Sequence, residues 1–465
     1  MTNIITTPVS RRTMLRRASQ LGFMGAAAPL AINLAGAAEA ASHGANDYRA
    51  LVCIFLYGGN DHGNTLIPCD PINYSRYSDI RGQVGILKKY LSPLKTLAPQ
   101  TLTDDLQYSF PPYAPRLKML FESGKLAAQL NVGPLITPLT LQQYKSSNRA
   151  LYPLPPKLFS HNDQQSVWQA LGSEGSTIGW GGRMGDLAMA GNGNALLTCI
   201  SAAGNAVFVS GENALQYQIS PSGAIAVKAI QGLPYGSPAI SEALHQLITR
   251  PSEHKLENEL AILARRSIKM EGVVNTALAK VDIRTSFDQL SGPNPLADQL
   301  KIVARLIGAR KELGSKRQVF FVTLDGFDHH SGLSEKHVDL IKKLDEAIAA
   351  FYVATVELGV QHDVTAFTAS DFGRTLVNNG DGSDHGWGSH HIIMGGAVKG
   401  GKFYGTAPHV SVDTDDQVGQ GRLLPSTSVD QYAATLAHWF GVPDHEMATV
   451  LPNIGNFSNR NMGFV

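Results

Sequence analysis

The sequence predicts an α/β protein in which a mostly parallel β-sheet is sandwiched by helices. Three observations predict it. Four short, nearly continuous apolar runs recur along the chain, the pattern of strands buried on both faces: Arg49 to Tyr57, Leu126 to Val132, Gln318 to Leu324 and Asp363 to Ala369. Each run is closed by turn-forming residues: Gly58-Gly59-Asn60-Asp61, Gly133-Pro134, Asp325-Gly326 and Ser370-Asp371. Between the last two runs, Ile341, Leu344, Ile348, Phe351 and Leu358 keep helical spacing, with Ser334 placed to cap the start and Gly359 to end it. A strand–helix–strand unit of this kind is a crossover, which makes its two strands parallel.

The remaining segments are assigned in chain order. Residues 1–40 read as a targeting segment outside the fold. Arg11-Arg12 and Arg16-Arg17 precede a mildly apolar run from Ala18 to Ala35, and Ala38-Glu39-Ala40 forms a small-x-small cleavage pattern. This is a twin-arginine export signal, which implies the twin-arginine translocase as a transient partner and a periplasmic or secreted bacterial protein. The apolar run carries Ser19, Gln20, Gly22, Gly25, Pro29 and Asn33, too polar for a stable membrane anchor. Pro115 to Ser123 reads as a helix with proline in its first turn. Residues 45–465 then form one α/β domain. A largely helical insertion at about 185–310 covers the sheet, with a strand-like run at Ala206 to Ser210 and helical segments from Ser241 to Leu313. Pro153 to Pro156 and Ser220 to Gly236 read as loops.

Composition narrows the function. Of 465 residues, 43% are hydrophobic, enough for a large core. The formal charge of +1 becomes −2 once residues 1–40, with four arginines and one glutamate, are removed. Such a balance argues against nucleic acid as the partner. The three cysteines Cys53, Cys69 and Cys199 cannot build a disulfide framework, and none has CxxC spacing. Histidine is concentrated: seven of the 15 lie between His329 and His391.

Ligands of open α/β sheets bind outside the carboxyl ends of the strands. Three of the four runs end in aspartate there: Asp61, Asp325 or Asp328, and Asp371. His329, His330, His385, His390 and His391 follow them. Carboxylates and imidazoles gathered at one edge are a ligand set for a divalent metal such as zinc or manganese. Two ions would clamp the attacking and leaving oxygens of an ester.

Several motifs carry a resemblance. Tyr57-Gly-Gly-Asn-Asp61-His-Gly-Asn-Thr65-Leu-Ile-Pro68, Phe327-Asp-His-His330, Ser370-Asp-Phe-Gly-Arg-Thr375 and Asp384-His-Gly386 resemble those of the domain-of-unknown-function 1501 family. Ser160-His161, Gly179-Trp180 with Arg183, Gly395 to Gly401, Leu424 to Tyr432 and Trp439 to Pro443 match it as well. The family is largely exported by the twin-arginine route and is similar to the alkaline phosphatase and sulfatase superfamily. The resemblance implies an alkaline-phosphatase-like fold and one or two divalent ions (zinc, manganese or calcium). It also implies hydrolysis of small anionic phosphate or sulfate esters.

Carried over residue by residue, Asp61 matches the superfamily's first-strand metal aspartate. The next strand end offers Asp325 with His329 on the superfamily pattern, or Asp328 with His330 on that of the closer family, which is preferred. Asp371 takes the place of the superfamily's Asp-His pair, but Phe372 stands where the histidine would be. Either His385 supplies the missing imidazole or one ion binds; Asp384 either ligates or orients that histidine. Ser160, at a helix amino end, is the candidate nucleophile or merely a cap, with His161 as a substrate or metal contact, Asn60 as a substrate contact and Arg374 as a fork for an anionic oxygen. Cys69-Asp-Pro71 begins like the sulfatase motif, but Asn73 replaces its arginine. Trp180, Trp387, Tyr432 and Trp439 are read as packing. The alternative to an enzyme is a non-catalytic periplasmic binding or assembly protein that retains the fold.

Overall fold

In the computed structural model the described residues are Tyr48–Val465 apart from 225–229, 231–236 and 288–291. The export segment expected at residues 1–40 lies outside them. The four apolar runs form β1 (Arg49–Tyr57), β2 (Leu126–Gly133), β4 (Arg317–Asp325) and β5 (Val364–Ser370), and two strands not read from the sequence, β3 (Cys199–Ser201) and β6 (Ser389–Gly395), join them in the sheet. The order across the sheet is β2-β6-β5-β1-β4-β3. Phe403–Tyr404 pairs outside β2, and Tyr217–Ser220 with Gly223–Ala224 lie outside β3. β1 runs parallel to both β4 and β5, and β3 runs parallel to β4. The expected crossover is therefore present, although β4 and β5 flank β1 rather than touch. One inner strand breaks the parallel rule: β6 is antiparallel to both β2 and β5.

Alternation along the strands splits the core into two layers. Ala50, Val52, Ile54 and Leu56 of β1 face one side, with Phe320, Val322 and Leu324 of β4. Against them pack α1 (Pro115–Glu122), α4 (Pro295–Gly308) and α5 (Leu333–Glu357). Leu51, Cys53 and Phe55, with Val319 and Phe321, face the other side. That side is covered by α2 (His161–Ala170), α3 (Trp180–Ala188) and α6 (Val429–Phe440). Trp180 and Tyr432 are core residues there, in line with their reading as packing residues. The three cysteines are free and buried.

Some local readings change. The residue at the start of α5 is Gly332, with φ +67, so Ser334 lies inside the helix and caps nothing. Ala206 to Ser210 forms a 3₁₀ turn at Val207–Val209 instead of a strand, which seats the Phe208 ring edge-on to Trp180 at 4.7 Å. Within 185–310, β3 and the two short strands after it extend the sheet, while α4 is buried in the core. That stretch is thus partly built into the sheet. Ser220 to Ala224 includes strand residues, and most of 225–236 lies outside the described set.

The register positions the site. Tyr57 of β1 pairs with Asp325 of β4, and Leu56 pairs with Ser370 of β5. The segments that follow these three strands therefore emerge side by side at one edge.

Candidate metal centre

Two glycines let those segments meet. Gly58 has φ +110, and a Cβ there would lie 2.4 Å from the Asp328 nitrogen. Gly59 has φ +85, and a Cβ there would lie 2.5 Å from the Phe372 ring. No other residue type tolerates both the backbone angle and the approach. A third piece arrives from further along the chain. Arg374–Asn378 and Ser383–His385 form an antiparallel hairpin, with Arg374 opposite His385. It docks on the segment after β4 through Ser383 N–H to the His329 carbonyl (3.0 Å) and Gly332 N–H to the Asp381 carboxylate (2.8 Å).

Three imidazoles surround Asp328, and each has one nitrogen already committed. His161 Nδ1 donates to Asp371 Oδ2 at 2.6 Å. His385 Nδ1 donates to the Phe159 carbonyl at 2.7 Å. His330 Nδ1 donates to Asp384 Oδ1 at 3.2 Å. A carbonyl or carboxylate can only accept, so each Nδ1 carries the proton and each Nε2 keeps its lone pair in the neutral ring. All three Nε2 atoms face Asp328: His161 at 3.4 Å, His385 at 3.3 Å and His330 at 3.2 Å. His161 Nε2 is buried without a hydrogen-bond partner, and the Nε2 atoms of His330 and His385 confront each other at 2.9 Å.

The facing Nε2 atoms of His330 and His385 and the unpartnered nitrogen of His161 are able to serve as ligands to a cation. One ligand atom from each of His161, Asp328 and His385 lies within 4.8 Å of the others, the single such group of three among the described residues. The residues fit a borderline divalent ion such as zinc, with nitrogen-rich ligation and imidazoles oriented by second partners. The site is open: the Asp328 and His330 side chains are 42% and 48% exposed.

Asp328 is steered from beneath. Arg374 is wholly buried and donates to Asp328 Oδ1 (2.8 Å), the Gly58 carbonyl (3.0 Å), Ser383 Oγ (3.0 Å) and the Ser383 carbonyl. Burial works against the Asp328 carboxylate, but Arg374 holds its pKa below the ordinary value. From Ser383 Oγ the network continues to Asp61 Oδ2 (3.3 Å) and on to Arg81 Nη2 (2.5 Å). Burial alone would raise the Asp61 pKa, yet Arg81, with smaller help from His337 and His62, brings it down to about 2. The His161 pKa is raised by its bond to Asp371, and the His385 pKa is lowered by burial. A cation at His161 Nε2 therefore competes with a proton.

Several sequence-derived roles change in this light. His161, Asp328, His330 and His385 are brought together, and of the two roles read for His161 the geometry matches the metal contact. Asp61 is not among them, because its carboxylate is taken by Arg81. Asp371 accepts from Gly58 N–H, His161 and Gln165, so it orients His161. Asp384 likewise orients His330, with Asn379 as its second donor. Arg374 spends its fork on Asp328 and the hairpin and has no open face for substrate. Asn60 is 2% exposed and accepts from Thr65 Oγ1 at 3.2 Å, which removes it from the substrate side. Ser160 occupies the position before α2 but makes no capping bond; its hydroxyl donates to Asp163 Oδ2 at 2.9 Å.

Phe372 is buried, and its ring lies 4.8 Å from that of His161 and 4.7 Å from that of His385. It walls the two imidazoles instead of ligating, while His385 arrives on the hairpin. Arg81, Phe159 and Gln165 were not legible as site residues. Arg81 lies in an unremarkable helix, Pro71–Arg81, whose Asp70 cap and first-turn proline also explain the Cys69-Asp-Pro71 run. A separate cleft of about 750 Å³, lined by Lys145, His409, Asp416 and Ser426 among others, shares no residue with this centre.

Among solved structures the chain is similar to a protein titled Ps i-CgsB in complex with k-i-k-neocarrahexaose (10% identity, 88% of this chain and 77% of that one, TM-score 0.36). It is also similar to PsFucS1 sulfatase from Pseudoalteromonas sp. (8% identity, 90% and 75%, TM-score 0.33). A third is a mutant of alkaline phosphatase PafA (12% identity, 72% and 64%, TM-score 0.27). No curated protein sequence matches the chain. The family model described as "Protein of unknown function (DUF1501)" matches residues 48–453, from the first strand through the last helices, and the chain belongs to that family.

Proposed function

We propose that this protein is an exported, metal-dependent hydrolase of phosphate or sulfate esters that works with a single divalent ion. The observation that carries the reading is the convergence of the His161 and His385 lone pairs on Asp328 at the carboxyl edge of the sheet. An ion held there would supply Lewis-acid polarisation of an ester oxygen. The chain's own contribution is positional. Asp371, Asp384 and the Phe159 carbonyl keep three imidazoles aimed, and Arg374 keeps Asp328 charged. Ser160 is the chain's nucleophile beside His161. As its Oγ attacks phosphorus or sulfur, its proton passes to Asp163 Oδ2 and on to the departing ester oxygen, so the alcohol leaves; water then adds to phosphorus or sulfur, one of its protons returns through Asp163 to Oγ, and the acid is released. The basic Arg11-Arg12 segment supports export, and among the described residues no helix is long and apolar enough to cross a membrane.

A second reading has its own support. Asp61 is closed off by Arg81, and the buried Arg374 spends its donors on Asp328 and the hairpin, so neither of these two guanidinium groups is open to a substrate anion. That favours a metal-binding module without turnover. Metal analysis of protein purified from the periplasm, followed by a panel of phosphate and sulfate monoesters, separates the two. The hydrolase reading expects about one equivalent of metal and turnover that is lost in Asp328→Asn and Ser160→Ala. Metal without turnover on any ester favours the binding module, and absence of metal removes both.

A further inference from the structure

The loop leading into α2 holds a strained conformation that the centre's chemistry does not itself require. Lys157 has φ +37 and Phe159 has φ +72, two non-glycine residues in the left-handed region within three positions. Strain of this kind persists where the surroundings over-determine it. At Phe159 three contacts do so. Its carbonyl takes the proton of His385 Nδ1 at 2.7 Å. The Arg422 guanidinium lies over its ring, 5.4 Å from the centroid. The ring also packs against the apolar cluster of Leu135, Trp387, Leu424 and Phe457. Arg422 closes the figure, since its Nε donates to the His385 carbonyl at 2.7 Å. One arginine thus grips both partners of the bond that sets the His385 tautomer.

We propose that Arg422 and Phe159 form a clamp that positions His385, holding the proton on Nδ1 and the Nε2 lone pair toward Asp328. Neither side chain offers an atom to the ion; both act through His385. This inference rests on the metal reading above. Its signature is selective: loosening the clamp lets the His385 ring rotate while the bonds of His161 to Asp371 and of Arg374 to Asp328 stay intact.

The test uses the mature protein with zinc and cobalt as probes. Arg422→Met keeps bulk against Phe159 but removes the charge and the bond to the His385 carbonyl; Arg422→Lys restores the charge without the fork. Arg422→Met should weaken zinc binding by roughly 10–100-fold, the scale of a lost orienting partner. It should also shift the visible bands of the cobalt protein as His385 gives way to water. Arg422→Lys should recover only part of both. Combined with His385→Ala, Arg422→Met should add nothing to the loss seen with His385→Ala alone. Wild-type zinc affinity and cobalt spectrum in Arg422→Met, or additive losses in the double variant, would overturn the clamp. Should wild-type protein bind neither metal, the metal reading fails, and ¹⁵N NMR of the metal-free chain decides the clamp by itself. A His385 Nδ1–H tautomer present in wild type and lost in Arg422→Met sustains it; the same tautomer in both refutes it. Arg422→Gln provides a second variant if Arg422→Met does not fold.

Discussion

Arg81 and Asp61 meet at 2.5 Å with almost no solvent on either side chain. Removing one charge from such a pair strands the other in the interior, at a cost of about 3–5 kcal/mol. Asp61→Asn should therefore unfold at markedly lower urea concentration while the folded fraction binds as much metal as wild type. Asp328 is the opposite case, more than a third exposed and steered by Arg374. Asp328→Asn keeps an oxygen for Arg374 but removes the charge opposite it, so it should lower zinc affinity by at least 100-fold while lowering the unfolding midpoint less than Asp61→Asn does. Metal titration beside denaturant unfolding of both variants checks the pair. This contrast marks how far sequence carries at the level of single residues. Strand-end aspartates and following histidines are visible from spacing, because apolar runs and turn residues locate the sheet edge. Which carboxylate takes a cation from the protein is decided by Arg81, 20 positions away on a helix whose spacing announces no such role.

The hairpin Arg374–His385 is the element that completes the centre. Its seat is tight: a Cβ on Gly382 would lie 2.4 Å from backbone atoms of His329 and His330. Backbone there cannot yield as a side-chain end can, so Gly382→Ala should displace the hairpin, carrying His385 from Asp328 and Asp384 from His330. We expect a loss of about 1–3 kcal/mol in stability and at least tenfold weaker zinc binding, read by calorimetry and thermal unfolding. Other elements follow from the sequence to different degrees. β1 runs over Arg49–Tyr57 as its apolar pattern requires, and α5 follows its 3.6-residue spacing. β6 was not read as an inner antiparallel strand, because pairing direction is set by partners distant in sequence, and its Ile392-Ile393-Met394 run has no alternation to indicate it. β3 is only three residues long, too short for periodicity to separate it from a loop.

Across the whole molecule, buried neutral histidines set the acid limit. His62 is held at about 4, and His337 and His391 at about 3, chiefly by burial; burial also lowers His390 well below its ordinary value. A histidine with a depressed folded-state pKa contributes stability above its unfolded value near 6.5, and that contribution is lost as pH falls toward the folded value. For His62 alone the span from 6.5 to about 4 corresponds to about 3 kcal/mol. Asp61 acts in a lower window: its contribution is present above about 4 and lost only as pH falls through about 2. Histidine, not the Asp61 carboxylate, therefore governs the range from pH 6.5 to 4. Set against a usual total of about 5–15 kcal/mol, four such residues should bring the acid midpoint above pH 4. Urea unfolding at half-unit steps of pH would show stability falling steeply below 6.5; a flat profile down to pH 4 would show these histidines to be accessible to protons.

On the proposed reading the sheet edge holds one ion, with Asp61 spent on Arg81 and Phe372 in place of a further ligand. X-ray absorption of the zinc-loaded protein, with stoichiometry by elemental analysis, tests this most directly. The account predicts one equivalent and a first shell of imidazole nitrogens with carboxylate oxygen near ~2.0–2.1 Å, lost in Asp328→Asn and retained in Asp61→Asn. Two equivalents with a zinc–zinc vector at roughly 3.5–4 Å, or zinc binding that survives Asp328→Asn and disappears in Asp61→Asn, would contradict it.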